Sequence, residues 1–86
     1  MMDAEPAPFL RVTTGSPIYT LDGKKIGKVK EVRGLHFKVE AGLLQRDYWL
    51  PGDLVTNAVS GVSVELSVDK AVLDKHKISG EPAQAV

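Results

Sequence analysis

The sequence contains no cysteine. Disulfides, thiolate nucleophiles and zinc or iron–sulfur sites with cysteine ligands are therefore excluded as a basis for structure or activity. The two histidines, His36 and His76, lie 40 residues apart and form none of the short spacings that metal-binding motifs use. We therefore predict neither a metal site nor a cofactor.

Long apolar runs are also missing. No stretch approaches the roughly 20 residues that a membrane-spanning helix needs. The first eight residues contain two prolines and two acidic residues but no apolar centre, so no signal peptide is predicted there. We expect a cytoplasmic protein.

The chain has no net charge, because eleven basic residues balance eleven acidic ones. This balance weakens any general attraction to nucleic acids or anionic membranes. The charges are nevertheless segregated: residues 24–38 contain six basic residues and one acidic residue, whereas residues 39–69 contain one basic residue and five acidic ones. The 86 residues suffice for one domain, which buries only about two-thirds of its unfolded surface.

Motifs that carry catalysis are missing as well. There is no GxSxG nucleophile turn and no GxxxxGK[ST] phosphate loop. Asp47 and Asp53 are separated by a predicted turn and have no evident reason to share a proton. We therefore predict no catalytic residue and a non-enzymatic role, with a small enzyme as the least favoured alternative.

The clearest feature that is present is a β-hairpin over residues 16–32. Asp22 and Gly23 lie between two β-prone runs and suit a tight turn. Apolar residues of the second arm recur every three positions, which would also suit a short helix. Gly27 favours the strand, in which it marks a predicted β-bulge.

Further strands are predicted at residues 9–13, 35–40, 46–51 and 62–69. In residues 35–40 the alternation places Leu35 on the buried face. Asp69 is then a candidate helix N-cap that precedes a single helical turn. Five or six short strands with turns between them indicate an all-β fold, either a small antiparallel barrel or a compact sandwich.

Several segments resemble the PRC-barrel domain family. They are Gly15-Ser16-Pro17-Ile18-Tyr19, Asp22-Gly23-Lys24-Lys25-Ile26-Gly27-Lys28-Val29, Phe37-Lys38-Val39, Asp47-Tyr48-Trp49-Leu50-Pro51 and residues 62–73. The sequence around Trp49 is most similar to that of uncharacterised stand-alone bacterial members. The resemblance implies a small β-barrel over residues 9–74, flanked by a disordered tail at 1–8 and a flexible tail at 75–86. It also implies a protein-interaction or structural module, because the family has no shared catalytic motif.

A row of basic residues is the first candidate partner surface. It comprises Lys24, Lys25, Lys28, Lys30, Arg33, His36 and Lys38. Such a row can be a solvated strand edge that prevents aggregation, or it can bind an acidic partner. A protein partner is favoured over the alternative of an RNA- or ribosome-associated accessory protein, because exposed aromatic residues do not alternate with the lysines.

Apolar residues near the middle of the chain are the second candidate surface. Leu43 and Leu44 lie in a predicted loop, and Tyr48 and Trp49 must face opposite sides of a regular strand. Trp49 either packs over the mouth of the barrel or anchors an interface. We predict a homodimer, since a two-fold interface could cover this patch and enlarge a small core.

Overall fold

The computed structural model describes residues 8–42 and 45–78. These residues form mostly β structure, with the strands β1 Pro17–Tyr19, β2 Lys25–Arg33, β3 His36–Glu40, β4 Tyr48–Pro51, β5 Val55–Val59 and β6 Ser63–Leu66. One helical turn, α1, spans Lys70–Leu73, and 3₁₀ turns span Pro8–Arg11, Gly52–Leu54 and Asp74–His76. The predicted β-rich class, the strand number and the helical turn towards the C-terminus are confirmed. No helix in these two ranges is long and apolar enough to cross a membrane.

The six strands form a single sheet in the order β4-β3-β2-β1-β6-β5. All neighbours are antiparallel except β1 and β6, which are parallel. The prediction of a closed, fully antiparallel barrel is therefore wrong in two respects, because one ladder is parallel and no ladder among the described residues joins β4 to β5. A short turn forces antiparallel pairing, but β1 and β6 are joined by a long stretch of chain that leaves their relative direction free.

The sheet is strongly curled although it is not closed. Its two edge strands, β4 and β5, are linked only by Gly52–Leu54. In a flat sheet their axes would lie about 24 Å apart, at roughly 4.8 Å per strand. Four Cα-to-Cα steps reach at most about 14 Å. The edges must therefore curve towards each other, and the core lies inside the curve.

The hairpin of β1 and β2 follows the predicted pattern. The turn contains Asp22 and Gly23, and Ile18 pairs with Gly27 while Tyr19 pairs with Lys25. This change of register is the bulge predicted at Gly27. A second bulge between Val29 and Glu31 bends β2 again, where it pairs with β3.

The predicted first strand at residues 9–13 is wrong. The segment Pro8–Arg11 is a 3₁₀ turn, which Pro8 favours because its missing N–H would be unpaired in a first turn. The Phe9 ring packs 6.3 Å from the Phe37 ring, measured between centroids. Arg11 Nε donates a hydrogen bond to the Ala58 carbonyl oxygen at 2.8 Å. The turn thus covers part of the outer edge of β5.

The core consists of apolar side chains from the strands and from α1. The fully buried ones are Ile18, Val29, Phe37, Val39, Leu50, Val64, Leu66 and Leu73. Asp69 occupies the predicted N-cap position, but its side chain makes no capping hydrogen bond. The Lys70 amide instead donates to Asp22 Oδ1 at 3.3 Å, so the hairpin turn holds the start of α1.

At its far end the described chain continues through Ile78. The amide of Ile78 donates to the Trp49 carbonyl oxygen at 2.9 Å, and the Trp49 amide donates to the Ile78 carbonyl oxygen at 2.8 Å. These bonds add one bridge to the outer edge of β4. The domain limits of residues 9–74 stay a prediction.

Candidate partner-binding groove

An open groove lies at the end of the sheet where three connecting segments meet. These are the 3₁₀ turn Pro8–Arg11, the turn between β2 and β3, and the link Gly52–Leu54 between β4 and β5. The groove has a volume of about 510 Å³, and its walls are Phe9, Leu35, His36, Pro51, Gly52, Asp53 and Val55. Most of this lining is apolar, which is typical of a binding groove for an apolar group.

Gly52 forms the buried floor of the groove. Its amide donates a hydrogen bond to the Leu35 carbonyl oxygen at 2.7 Å, which fixes the link against the β2–β3 turn. A Cβ atom at this position would lie 2.6 Å from Cδ1 of Phe9 and 2.8 Å from the Leu35 carbonyl oxygen. Only glycine therefore lets the three segments approach this closely.

Leu35 forms the mouth of the groove, and 69% of the residue is exposed. Its predicted place on the buried face is wrong, because β3 begins at His36 and Leu35 belongs to the turn. Val32, on the neighbouring strand, is 39% exposed. Leu35 extends the apolar surface of the groove, and a contiguous apolar patch marks an interaction site more often than an isolated exposed residue does.

The rim of the groove carries one basic residue and one acidic residue. His36 lies on β3 and Asp53 lies on the opposite wall. Lys38 follows His36 on the same face of β3, about 7 Å further along the strand. The rim is therefore basic on the β3 side and acidic on the side of the Gly52–Leu54 link.

Tyr48 and Trp49 are both covered within the chain. Tyr48 is 8% exposed and belongs to the core, whereas Trp49 is 2% exposed and lies on the other face of the sheet. The Arg33 guanidinium and the Lys38 ammonium lie 5.3 and 5.7 Å from the Trp49 ring centroid. These cations interact with the face of the indole ring, so a partner that approached this face would contact them before it contacted Trp49.

The other interface candidates, Leu43 and Leu44, lie outside the described residues. The homodimer that was predicted from all four residues stays a prediction. A two-fold contact through Tyr48 or Trp49 would need side chains or the Ile78 bridge to move, since both rings are covered.

The basic row does not form one uniformly basic face. Its ion pairs are Lys24 with Asp22 at 3.8 Å, Lys28 with Glu40 at 3.8 Å, Lys30 with Asp47 at 2.9 Å and Arg33 with Glu31 at 2.6 Å. The hydrogen bond that the Lys30 ammonium donates to the Asp47 carboxylate holds the pKa of Lys30 above its usual value. Of the row, His36 lines the groove and Arg33 and Lys38 lie over Trp49, whereas Lys24 lies at the other turn of the β2 strand. Whether the row binds a partner stays a prediction.

Sequence reasoning missed the groove because its apolar walls come from three parts of the chain that are far apart in the sequence. Phe9 was assigned to a strand, Leu35 to the core and Pro51 only to a strand end. The one available signal was Gly34, since a turn at this glycine leaves Leu35 outside the ladder.

Residues 8–42 and 45–78 hold no group of three or more histidine, aspartate or glutamate side chains that could bind a metal ion. No family model, curated protein or solved structure matches this chain.

Proposed function

We propose that this chain is a non-enzymatic protein-interaction module, related to PRC-barrel domains, that binds an apolar side chain of an acidic partner segment in the groove beside Leu35. The observation that carries this proposal is the 69% exposure of Leu35 at the mouth of a largely apolar groove. A single exposed leucine needs no explanation, but Leu35 stands beside an apolar groove that Phe9, Pro51 and Val55 also line, and such a contiguous apolar surface marks interaction sites.

The charges around the groove define the partner further. Lys38, on the same face of β3 as His36, favours a carboxylate on the β3 side, whereas Asp53 disfavours one near the Gly52–Leu54 link. A partner segment should therefore place an aliphatic or aromatic anchor in the groove and an acidic residue beside it, towards Lys38. Complementary charges of this kind fix orientation more than they raise affinity.

The size of the groove sets the expected strength. Full burial of one large apolar side chain contributes about 1.5–3 kcal/mol. A Kd of 1 μM corresponds to about −8 kcal/mol, so one anchor must be supplemented by polar contacts and by burial of Leu35 itself. We therefore expect a transient complex rather than an obligate one.

The relation to PRC-barrel domains is supported by the bulged hairpin at Gly27 and by the curled sheet that surrounds the core. The parallel β1–β6 ladder and the open edges are departures from the expected barrel. A protein-binding role is implied by the resemblance, and the groove supplies a surface for it that the resemblance did not specify.

A library of random peptides displayed on phage tests the proposal when it is panned on the immobilised full chain. We expect enriched peptides with a leucine, phenylalanine or tryptophan next to an aspartate or glutamate. Leu35→Ser should weaken their binding at least about tenfold, which is about 1.4 kcal/mol. Leu21→Ser is the matched control, because Leu21 is 64% exposed in the opposite turn and does not line the groove.

The charge arrangement is tested by Lys38→Glu. This variant should weaken the enriched peptides, and added salt should reduce the difference from the wild type, because the contact is exposed. Equal losses for Leu35→Ser and Leu21→Ser, or no enrichment at all, would contradict the groove as the binding site.

The alternative of an RNA-binding protein is tested with the same Leu35→Ser variant in an RNA-binding assay. Phosphate contacts make affinity fall steeply with salt concentration. A labelled single-stranded RNA that bound tightly, lost affinity with salt and ignored Leu35→Ser would replace the proposal. The four ion pairs within the basic row lower its free positive charge, which is why the protein partner is favoured.

A further inference from the structure

A second, polar pocket lies on the other side of β4, near α1. Its volume is about 190 Å³, and none of its lining residues belongs to the groove. Three lysines line it: Lys25 from the start of β2, Lys70 from the start of α1, and Lys77 from the segment after the last 3₁₀ turn. The fold thus brings three exposed lysines that are far apart in the sequence to the walls of one pocket.

Among the described residues that line this pocket, one is acidic. Asp74 lines the pocket, and its Oδ1 lies 2.8 Å from Nζ of Lys77. The hydrogen bond from Lys77 lowers the pKa of Asp74, so this carboxylate stays charged at neutral pH. Within residues 8–42 and 45–78, no ion pair is seen for the ammonium groups of Lys25 and Lys70. The pocket therefore keeps about two positive charges that its own acidic group does not neutralise.

The remaining walls suit a polar ligand. Gln45 supplies an amide, and Tyr48 contributes a phenol with the Lys77 ammonium 4.5 Å from its ring centroid. Burial, with a smaller effect of the Asp74 charge, raises the pKa of Tyr48 to about 12. The phenol is therefore protonated at neutral pH and adds no negative charge to the pocket.

We propose that this pocket binds a small phosphate-class oxyanion, either free or as a phosphomonoester. Lysine ammonium groups are compact point charges that bind phosphate oxygens. Converging cations in a recessed site attract an anion more strongly than the same cations spread over a surface. The volume of about 190 Å³ is many times the roughly 10–15 Å³ that one water molecule needs by the same measure, which leaves room for a phosphate-sized group.

The site does not depend on the proposed protein partner. The pocket does not include Leu35. Lys25 belongs to the basic row that was predicted from the sequence, whereas Lys70 and Lys77 do not. An anion here would join β2 to α1 and to the chain that leads to Ile78.

Amide chemical-shift titration of the full chain tests the proposal at a constant ionic strength of about 0.15 M. The probes are sodium pyrophosphate, sodium phosphate and glycerol 3-phosphate, with sodium chloride as the reference. We expect saturable shifts at Gln45, Tyr48 and Lys70 with a pyrophosphate Kd below about 1 mM. Phosphate and glycerol 3-phosphate distinguish a free anion from a monoester, according to which of them binds more tightly.

Variants then assign the site. Lys25→Gln and Lys70→Gln should each weaken pyrophosphate at least about fivefold, because each removes one uncompensated charge. Lys75→Gln is the matched control, since Lys75 is an exposed lysine of the same region that does not line the pocket. Equal weakening by all three variants, shifts spread over every lysine, or no saturation below about 10 mM would each overturn the proposal.

Discussion

Replacement of Gly27 by alanine should be among the most damaging small changes in this sheet. Gly27 has a φ of +151° in the bulge of β2. A Cβ atom there would overlap the carbonyl oxygen of Glu40 and would lie 3.1 Å from Cγ1 of Val39. The overlapped atom belongs to the backbone of β3, so it has no side-chain rotation by which to move away.

Two contributions set the size of the effect, the strained backbone conformation and the overlap of the added Cβ atom with β3. A residue other than glycine in such a backbone region costs about 1–3 kcal/mol. Overpacking of a well-packed site adds about 1–3 kcal/mol. Gly27→Ala should therefore lower the free energy of unfolding by about 2–6 kcal/mol, against a total of about 4–13 kcal/mol for a chain of this length.

Gly23→Ala separates the two terms. Gly23 has a φ of +81°, but no atom lies within 4 Å of the position that its Cβ would occupy. This control should lose only the conformational term of about 1–3 kcal/mol. Equilibrium urea unfolding measures both variants, and with a slope near 1 kcal/mol/M the midpoint for Gly27→Ala should lie about 1–3 M below that of Gly23→Ala. Coincident midpoints would refute the close approach of β2 to β3.

Two further predictions concern pH and assembly. Because the pKa of Tyr48 is raised from 10.0 to about 12, the folded chain keeps a proton that the unfolded chain releases. The free energy of unfolding should therefore fall as the pH rises from 10 to 12, and urea unfolding of Tyr48→Phe should show a smaller fall; an identical pH dependence would contradict this. The homodimer predicts a concentration-dependent sedimentation velocity, and a single monomeric species at about 100 μM would exclude it.

Local signals in the sequence were sufficient for the hairpin and for the end of β4. The turn at Asp22 and Gly23, the bulge at Gly27 and the strand end at Pro51 all depend on the backbone preferences of glycine and proline. Such preferences act over a few residues, so the sequence alone reveals them.

The errors share a different cause, which is tertiary contact. β5 was missed because a bulge between Val55 and Asn57 breaks the alternation of buried and exposed residues. The segment Pro8–Arg11 contains residues that suit a strand, but docking of Phe9 on Phe37 fixes it as a turn. The parallel β1–β6 ladder depends on residues more than 40 positions apart, for which no periodicity carries information.

The two candidate sites were also only partly predictable from the sequence. The sequence identified His36 and Lys25 as basic residues of interest, yet it did not indicate that one lines an apolar groove and the other a polar pocket. Both cavities arise where connecting segments meet, and the meeting of such segments depends on the curl of the whole sheet.

The shortest strand holds the two halves of the sheet together. β1 has three residues, and among the strands that the structure describes it alone joins the β2–β3–β4 group to the β5–β6 hairpin. Its ladder to β6 closes a large chain loop through Ile18 and Val64, and that closure is entropically costly. The β2–β3–β4 group, whose contacts are local in sequence, should therefore form early in folding, and docking of the β5–β6 hairpin onto β1 should complete the native state. The ladder between the two groups has only the pairs Ile18 with Val64 and Tyr19 with Glu65, so burial of Ile18 and Val64 in the shared core should supply much of the coupling between them.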